Sequence, residues 1–171
     1  IKIIMGLIEP DVGIISIDNK DLKLNKKSWQ KKIGYVPQNF SILDDTICAN
    51  ILFGEYQDNE KLTKVIRNVS LENLVNLLPE KINTIVGSDG KKISGGQAQR
   101  LAIARALYQD PDLIIFDEAT NSLDDKTEEQ IIKNIYDLRK NKTIIIVTHK
   151  ESLLKNCDKI FKIEDGKLLK V

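Results

Sequence analysis

Four apolar residues in unbroken succession, Leu113-Ile114-Ile115-Phe116, run directly into two acids, Asp117-Glu118. A strand with one wet face alternates apolar and polar residues, so an uninterrupted run predicts a strand buried on both faces, as in parallel sheets covered by helices on either side. Thr143 to Val147 predicts a second buried strand, and Ile33 to Val36 a short β-rich run ending at Pro37-Gln38. Strands that alternate with helical stretches imply a mainly parallel α/β sheet.

The remaining elements fit around these strands. Ile1 to Ile8 reads as the end of an apolar helix stopped by Glu9-Pro10-Asp11, and Gly13 to Ile17 as a strand turning at Asp18-Asn19. Helices are expected over Thr46 to Phe53, over the stripe Leu62, Val65, Ile66, Val69, and over Leu71 to Leu78 before Pro79. A glycine-bearing loop, Thr84 to Lys92, leads into a helix from Gly95 to Tyr108, and a later helix carries Ile131, Ile135 and Leu138 on one face. A strand pair turning at Asp165-Gly166 closes the chain. The helical block between Gln38 and about Arg105 reads as an insertion into the sheet.

Bulk properties bound the function. A chain of 171 residues suits one domain, and 42% hydrophobic with 30% charged residues is the balance of a globular protein. A formal net charge of +1 demands neither nucleic acid nor an anionic membrane. No apolar run reaches the ~18 residues of a membrane span, so any membrane part is expected outside this chain. Cys48 and Cys157 stand far apart and without metal-type neighbours, which reads as reduced thiols of a cytoplasmic protein. The start inside an apolar helix, with no initiator Met and no signal-peptide pattern, reads as a truncation.

Ile93-Ser94-Gly95-Gly96-Gln97 carries the strongest chemical signal. Ser94 opens a helix whose two glycines leave backbone N–H groups uncovered, an anion-binding surface helped by the helix dipole. Ser94 with Gln97 also fits a capping box that needs no ligand, but such a box has no use for two glycines, each costing about 1 kcal/mol in a first helical turn. Asp117 and Glu118 end a buried strand at the edge where open α/β sheets bind ligands. Asp117 suits Mg²⁺, which takes few protein ligands and keeps several waters, and Glu118 suits the orientation of an attacking water. An acidic pair that merely ends a strand is the plain alternative. His149, the only histidine, follows Thr143 to Val147 and is expected at the same edge, where it is placed to donate to a γ-phosphate; a lone histidine is also commonly structural. Gln38, just beyond Val36-Pro37, offers an amide able to approach both metal and water.

Together these stretches resemble the ABC (ATP-binding cassette) ATPase family, in family order and along the whole chain. Gln38 is similar to the Q-loop glutamine, Ser94, Gly95, Gly96 and Gln97 to the signature (with Ile93 where Leu is usual), Asp117 and Glu118 to the Walker B aspartate and catalytic glutamate, Ser122-Leu123-Asp124 to the D-loop, and His149 to the switch histidine. Thr46-Ile47, Asn50-Ile51 and Phe53-Gly54 resemble the exporter region where the transmembrane half docks. Thr84-x-Val86-Gly87-x-x-Gly90 resembles the exporter x-loop, departing at Ser88 and Asp89, where Glu and Arg are common. No GxxxxGK[ST] phosphate loop occurs in the 171 residues; the family carries it immediately before a helix like Ile1 to Ile8.

The resemblance implies a P-loop NTPase (RecA-like) α/β core over 1–38 and 106–171, an inserted helical subdomain over 39–105, and a small antiparallel β portion. It implies ATP and Mg²⁺ as ligands, with Asp117 and Gln38 serving the metal, and Glu118, His149 and Gln38 serving hydrolysis. Ser94, Gly95, Gly96 and Gln97 would cover the ATP of a second cassette in a head-to-tail dimer, with Asp124 at that interface. The implied partner is a transmembrane domain at the cytoplasmic face of the cell membrane, and the implied activity is ATP-driven export; lipid, lipid-linked saccharide, peptide and drug are all open as cargo, with a lipid or lipid-linked saccharide favoured by the overall resemblance. A chain lacking the phosphate loop is expected to be inactive alone. A soluble ATPase of the translation-factor type is the alternative reading. Coiled-coil and zinc-bearing relatives are excluded by the lack of heptads between Gln38 and Ser94 and by the scarcity of cysteine.

Overall fold

In the computed structural model, described over residues 1–87, 92–120, 123, 125–138, 142–155 and 157–171, three parallel strands form the central sheet in the order β3-β6-β7. β3 is Ile33–Val36, β6 is Leu113–Asp117 and β7 is Thr143–Val147. The central position of β6 explains its unbroken apolar run. Leu113 and Ile115 face a small cluster with Met5, Ile33 and Trp29, while Ile114 and Phe116 enter the main core beneath the helices. β7, expected to be buried, is half-buried instead: it pairs with β6 alone among the described strands.

The main core is built by the helices α2 (Ile47–Leu52), α3 (Asn59–Asn68), α4 (Glu72–Leu77), α5 (Gly95–Tyr108) and α6 (Asp125–Leu138). α3 turns Leu62, Val65 and Ile66 inward, the stripe legible in the sequence. The C-terminal half of α5 lies on β3, and its N-terminal half leaves the sheet to pack among the other helices, where Arg100 Nη1 donates to the carbonyl of Ser70. α5 is continuous through positions 105 and 106.

Contact between α5 and β3 depends on Gly34. A Cβ there would stand 2.7 Å from the Ala106 carbonyl oxygen and 2.7 Å from Pro111 Cγ. The first of these is helix backbone and cannot rotate away. Gly34→Ala is therefore expected to cost about 1–3 kcal/mol, read as a lower urea midpoint at unchanged m-value. An unchanged midpoint would show that α5 is free to move off the sheet.

Several short elements differ from expectation. Ile1 to Ile8 is not a continuous helix: after one turn, Gly6 (φ +68) closes it with Leu7 N–H bonded to the Lys2 carbonyl and Gly6 N–H to that of Ile3. This is a Schellman cap, so the stop comes at Gly6 rather than at Pro10. Strand pairing before Asp18-Asn19 is confined to β1 (Ser16–Ile17), joined to β2 (Lys20–Asp21) by two left-handed residues. α1 (Leu22–Gln30) follows, capped by the Asp21 carboxylate on Lys23 N–H at 2.8 Å. β4 (Asp45–Thr46) and β5 (Ile85–Val86) form a small antiparallel pair, and β8 (Phe161–Glu164) pairs with β9 (Lys167–Lys170) across Asp165-Gly166 as expected.

Candidate active site

Parallel register brings the acidic strand end and its neighbours to one edge. Val36 lies beside Phe116 and Val147 beside Asp117, so the chain leaves all three strands at the same level. Pro37, with no N–H to donate, ends the pairing of β3 and releases Gln38. Glu118 adopts a left-handed backbone (φ +50) and donates its N–H to the Val147 carbonyl at 3.0 Å, which turns the chain sharply off β6. That conformation costs a non-glycine residue about 1–2 kcal/mol, strain of the kind that gathers at functional sites.

The Glu118 carboxylate is the hub. Gln38 Nε2 donates to its Oε2 at 2.7 Å, and His149 Nε2 stands 3.2 Å from its Oε1. Glu118 itself is four-fifths buried, while the His149 ring is 91% exposed. Three of the expected residues, from three separate loops, thus meet on one carboxylate. Asp117 ends β6 beside them and accepts from the Tyr35 hydroxyl at 3.0 Å. Burial first, then the bond to Asp117, pushes the Tyr35 phenol above its ordinary value. Sequence reasoning missed Tyr35. Its only signal is position: it lies opposite Ile115, two residues before Asp117, and so shares a face with that acid.

The donor chemistry at this edge fits Mg²⁺. One carboxylate and the amide oxygen of Gln38 are hard ligands, few in number, and Mg²⁺ is ordinarily completed by waters and substrate phosphates. Among the described residues no group of three or more His, Cys, Asp or Glu forms a cage for a metal, so the site is of the sparse type.

Ser94 caps α5, and Gly95 to Gln97 form its first turn. The capping box is formed: Ser94 Oγ accepts from Gln97 N–H at 3.3 Å, and Gln97 Oε1 accepts from Ser94 N–H at 2.8 Å. That leaves the first two amides of the helix, Gly95 and Gly96, with no acceptor inside it. Among the described residues a Cβ on Gly95 would meet nothing within 4 Å, so their packing does not require glycine there. Asp124 and Ser122, and the Ser88, Asp89 and Gly90 of the loop before α5, lie outside the described residues.

Asn50, read from sequence with the docking region, is inside the protein. It is fully buried, its amide shared among the carbonyls of Leu43, Asp45 and Thr46. Phe53, 52% exposed, and Gly54 present surface at the end of that stretch, and Tyr56, 96% exposed, lies just beyond it. Among the described residues no helix is long and apolar enough to cross a membrane.

Comparison with known proteins identifies the family and the fold. The sequence profile of the ABC transporter family matches residues 1–121. The chain is 38% identical over 170 residues to the alpha-hemolysin translocation ATP-binding protein HlyB of Escherichia coli, covering 98% of this chain and 24% of that protein. It is 32% identical over 170 residues to the ATP-dependent lipid A-core flippase of Burkholderia pseudomallei, covering 99% and 28%. The structure of a bacterial Atm1-family ABC exporter with ATP bound superposes with a TM-score of 0.91 at 31% identity, covering 98% of this chain and 30% of that one. The chain spans less than a third of the length of each of these relatives. On the family profile, the shared fold and the cluster at the sheet edge, this chain belongs to the ABC transporter family.

Proposed function

We propose that this chain is part of the ATP-hydrolysing domain of an exporter, and that Gln38, Asp117, Glu118 and His149 form its hydrolytic half-site. The convergence of Gln38 and His149 on Glu118, at 2.7 and 3.2 Å, carries the reading. Phosphoryl transfer to water asks for positioning and charge stabilisation more than for covalent help. Glu118 orients and polarises the water, and Gln38 and His149 hold that carboxylate in place from two sides. His149 then serves as donor to the γ-phosphate. Asp117, steadied by Tyr35, and Gln38 would hold Mg²⁺, which when bound supplies neutralisation of phosphate charge.

Ser94 to Gln97 act on a second cassette. The helices over 39–105 carry the α5 tip outward from the core formed by 1–38 and 106–171, and in a head-to-tail dimer the Gly95 and Gly96 amides meet the γ-phosphate of the partner's ATP. Asp124 lies at that interface. A transmembrane domain receives the closure through the surface around Phe53 and Tyr56, which puts the cassette at the cytoplasmic face of the cell membrane. The lipid A-core flippase among the relatives supports a lipid or lipid-linked saccharide as cargo.

The test is direct. The full-length protein, reconstituted in lipid vesicles, is expected to hydrolyse ATP only with Mg²⁺ and to do so faster when a lipid-linked saccharide is added. Stimulation by peptides alone would replace the cargo assignment. Recovery with ribosomes instead of membranes would replace the exporter with a soluble ATPase.

A further inference from the structure

The hydrolytic reading leaves one charged pair beside the site unused. Glu128 is 7% exposed, the only charged residue among the buried polar side chains described. It belongs to the first turn of α6, and its Oε1 accepts from Lys150 Nζ at 2.8 Å. Lys150 directly follows His149. Its backbone is held as well: its N–H donates to Thr148 Oγ1 at 2.9 Å, and its carbonyl accepts from Leu153 N–H at 3.2 Å, opening a short 3-10 turn over Glu151–Leu153.

His149 presents the opposite case. With its ring 91% exposed, little packing holds it at Glu118. Its placement must come from the backbone on either side, and that backbone is anchored at Lys150. Removing charges from water largely offsets what a buried ion pair gains, so such a pair adds little net stability. It does impose a distance and a direction.

We infer that the Glu128–Lys150 ion pair is a positioning device that holds His149 against Glu118 and ties the His149 loop to the N-terminus of α6. Both are positioning residues: they act through His149. Because α6 begins immediately after Asp124, the pair also links the proposed dimer interface to the hydrolytic group. The inference rests on the hydrolytic reading of His149 and Glu118.

The experiment uses the full-length exporter in vesicles, with ATP as the probe. Lys150→Met and Glu128→Gln are each expected to lower kcat about 10- to 100-fold, the cost of a misplaced catalytic group, with KM for ATP nearly unchanged. Lys150→Arg, which keeps the cation, is expected to retain most turnover. Glu128→Gln preserves shape and hydrogen bonding and so covers a failure of Lys150→Met to fold. Full kcat per folded molecule in both variants, with only a lower melting temperature, would reduce the pair to a structural tie and overturn the inference. His149→Ala separates the two layers. If it slows turnover while Lys150→Met and Glu128→Gln do not, only the positioning inference falls. If it has no effect, the hydrolytic reading of His149 falls with it.

Discussion

Glu118→Gln in the full-length protein is expected to lower ATP turnover about 10²–10⁴-fold, the range for loss of a positioned acid–base group, while ATP binding and the fold persist. The geometry supports the separation of effects. A glutamine amide has the shape of the carboxylate, and its oxygen still accepts from Gln38 Nε2, now 2.7 Å from Oε2. The left-handed backbone at residue 118 and the N–H bond to Val147 involve main chain alone, so they survive the change. What is lost is the negative charge that polarises water. Steady-state phosphate release measures turnover, and equilibrium binding of a fluorescent ATP analogue measures affinity. Turnover within a factor of two of the wild type would remove Glu118 from the role proposed for it. Lost binding with lost turnover would mean that the carboxylate serves the ground state.

The meeting of Gln38, Glu118 and His149 was legible because its parts are local and chemically unlike their surroundings. An apolar run that ends in two acids fixes both a buried strand and its edge, and parallel pairing then sends Gln38 and His149 to that edge without further information. The start of α5 was legible from Ser94 and its end from Tyr108, since caps and periodicity lie within a few residues of one another. The missed pieces depend on partners far along the chain. β4 exists because Asp45 meets Val86 and Thr46 meets Ile85; two residues in isolation carry no strand signal. α1 turns only Leu22 fully inward, so no apolar stripe marks it; Asp21 caps it and Trp29 ties it down through Nε1 to the Ile4 carbonyl at 2.8 Å. Tyr35 and Lys150 were silent for the same reason. Each acquires meaning from the acid it meets, Asp117 or Glu128, and register or helix phase decides that meeting.

Arg105→Ala is expected to destabilise the cassette by about 3–4 kcal/mol, a large value for one substitution. The half-buried guanidinium donates through Nε to the Asn50 carbonyl at 2.9 Å, through Nη2 to Asn50 Oδ1 at 2.9 Å and through Nη1 to the Ser41 carbonyl at 3.1 Å. It also stacks over the Phe53 ring, 4.6 Å from its centre. Burial lowers its pKa from the ordinary guanidinium value, yet arginine keeps its charge in proteins. Truncation would leave acceptors on α2 and on the segment after Gln38 without their donor. Arg105→Lys is not a rescue, because one ammonium cannot reproduce a planar fork. Asn50, fully buried, is the other half of the bracket and also accepts from Leu43 N–H at 2.9 Å. In a double-mutant cycle of Arg105→Ala with Asn50→Ala, read by urea unfolding, the two effects are expected to fall short of additivity by about 1–3 kcal/mol. The functional consequence follows from connectivity. The same bracket joins the chain just after Gln38 to α5, whose N-cap is Ser94, so a loosened bracket is expected to uncouple the Gln38 edge from the helix tip proposed to face a second cassette. Additivity within about 0.5 kcal/mol would mean that the arginine and the asparagine act separately and form no single bracket between α2 and α5.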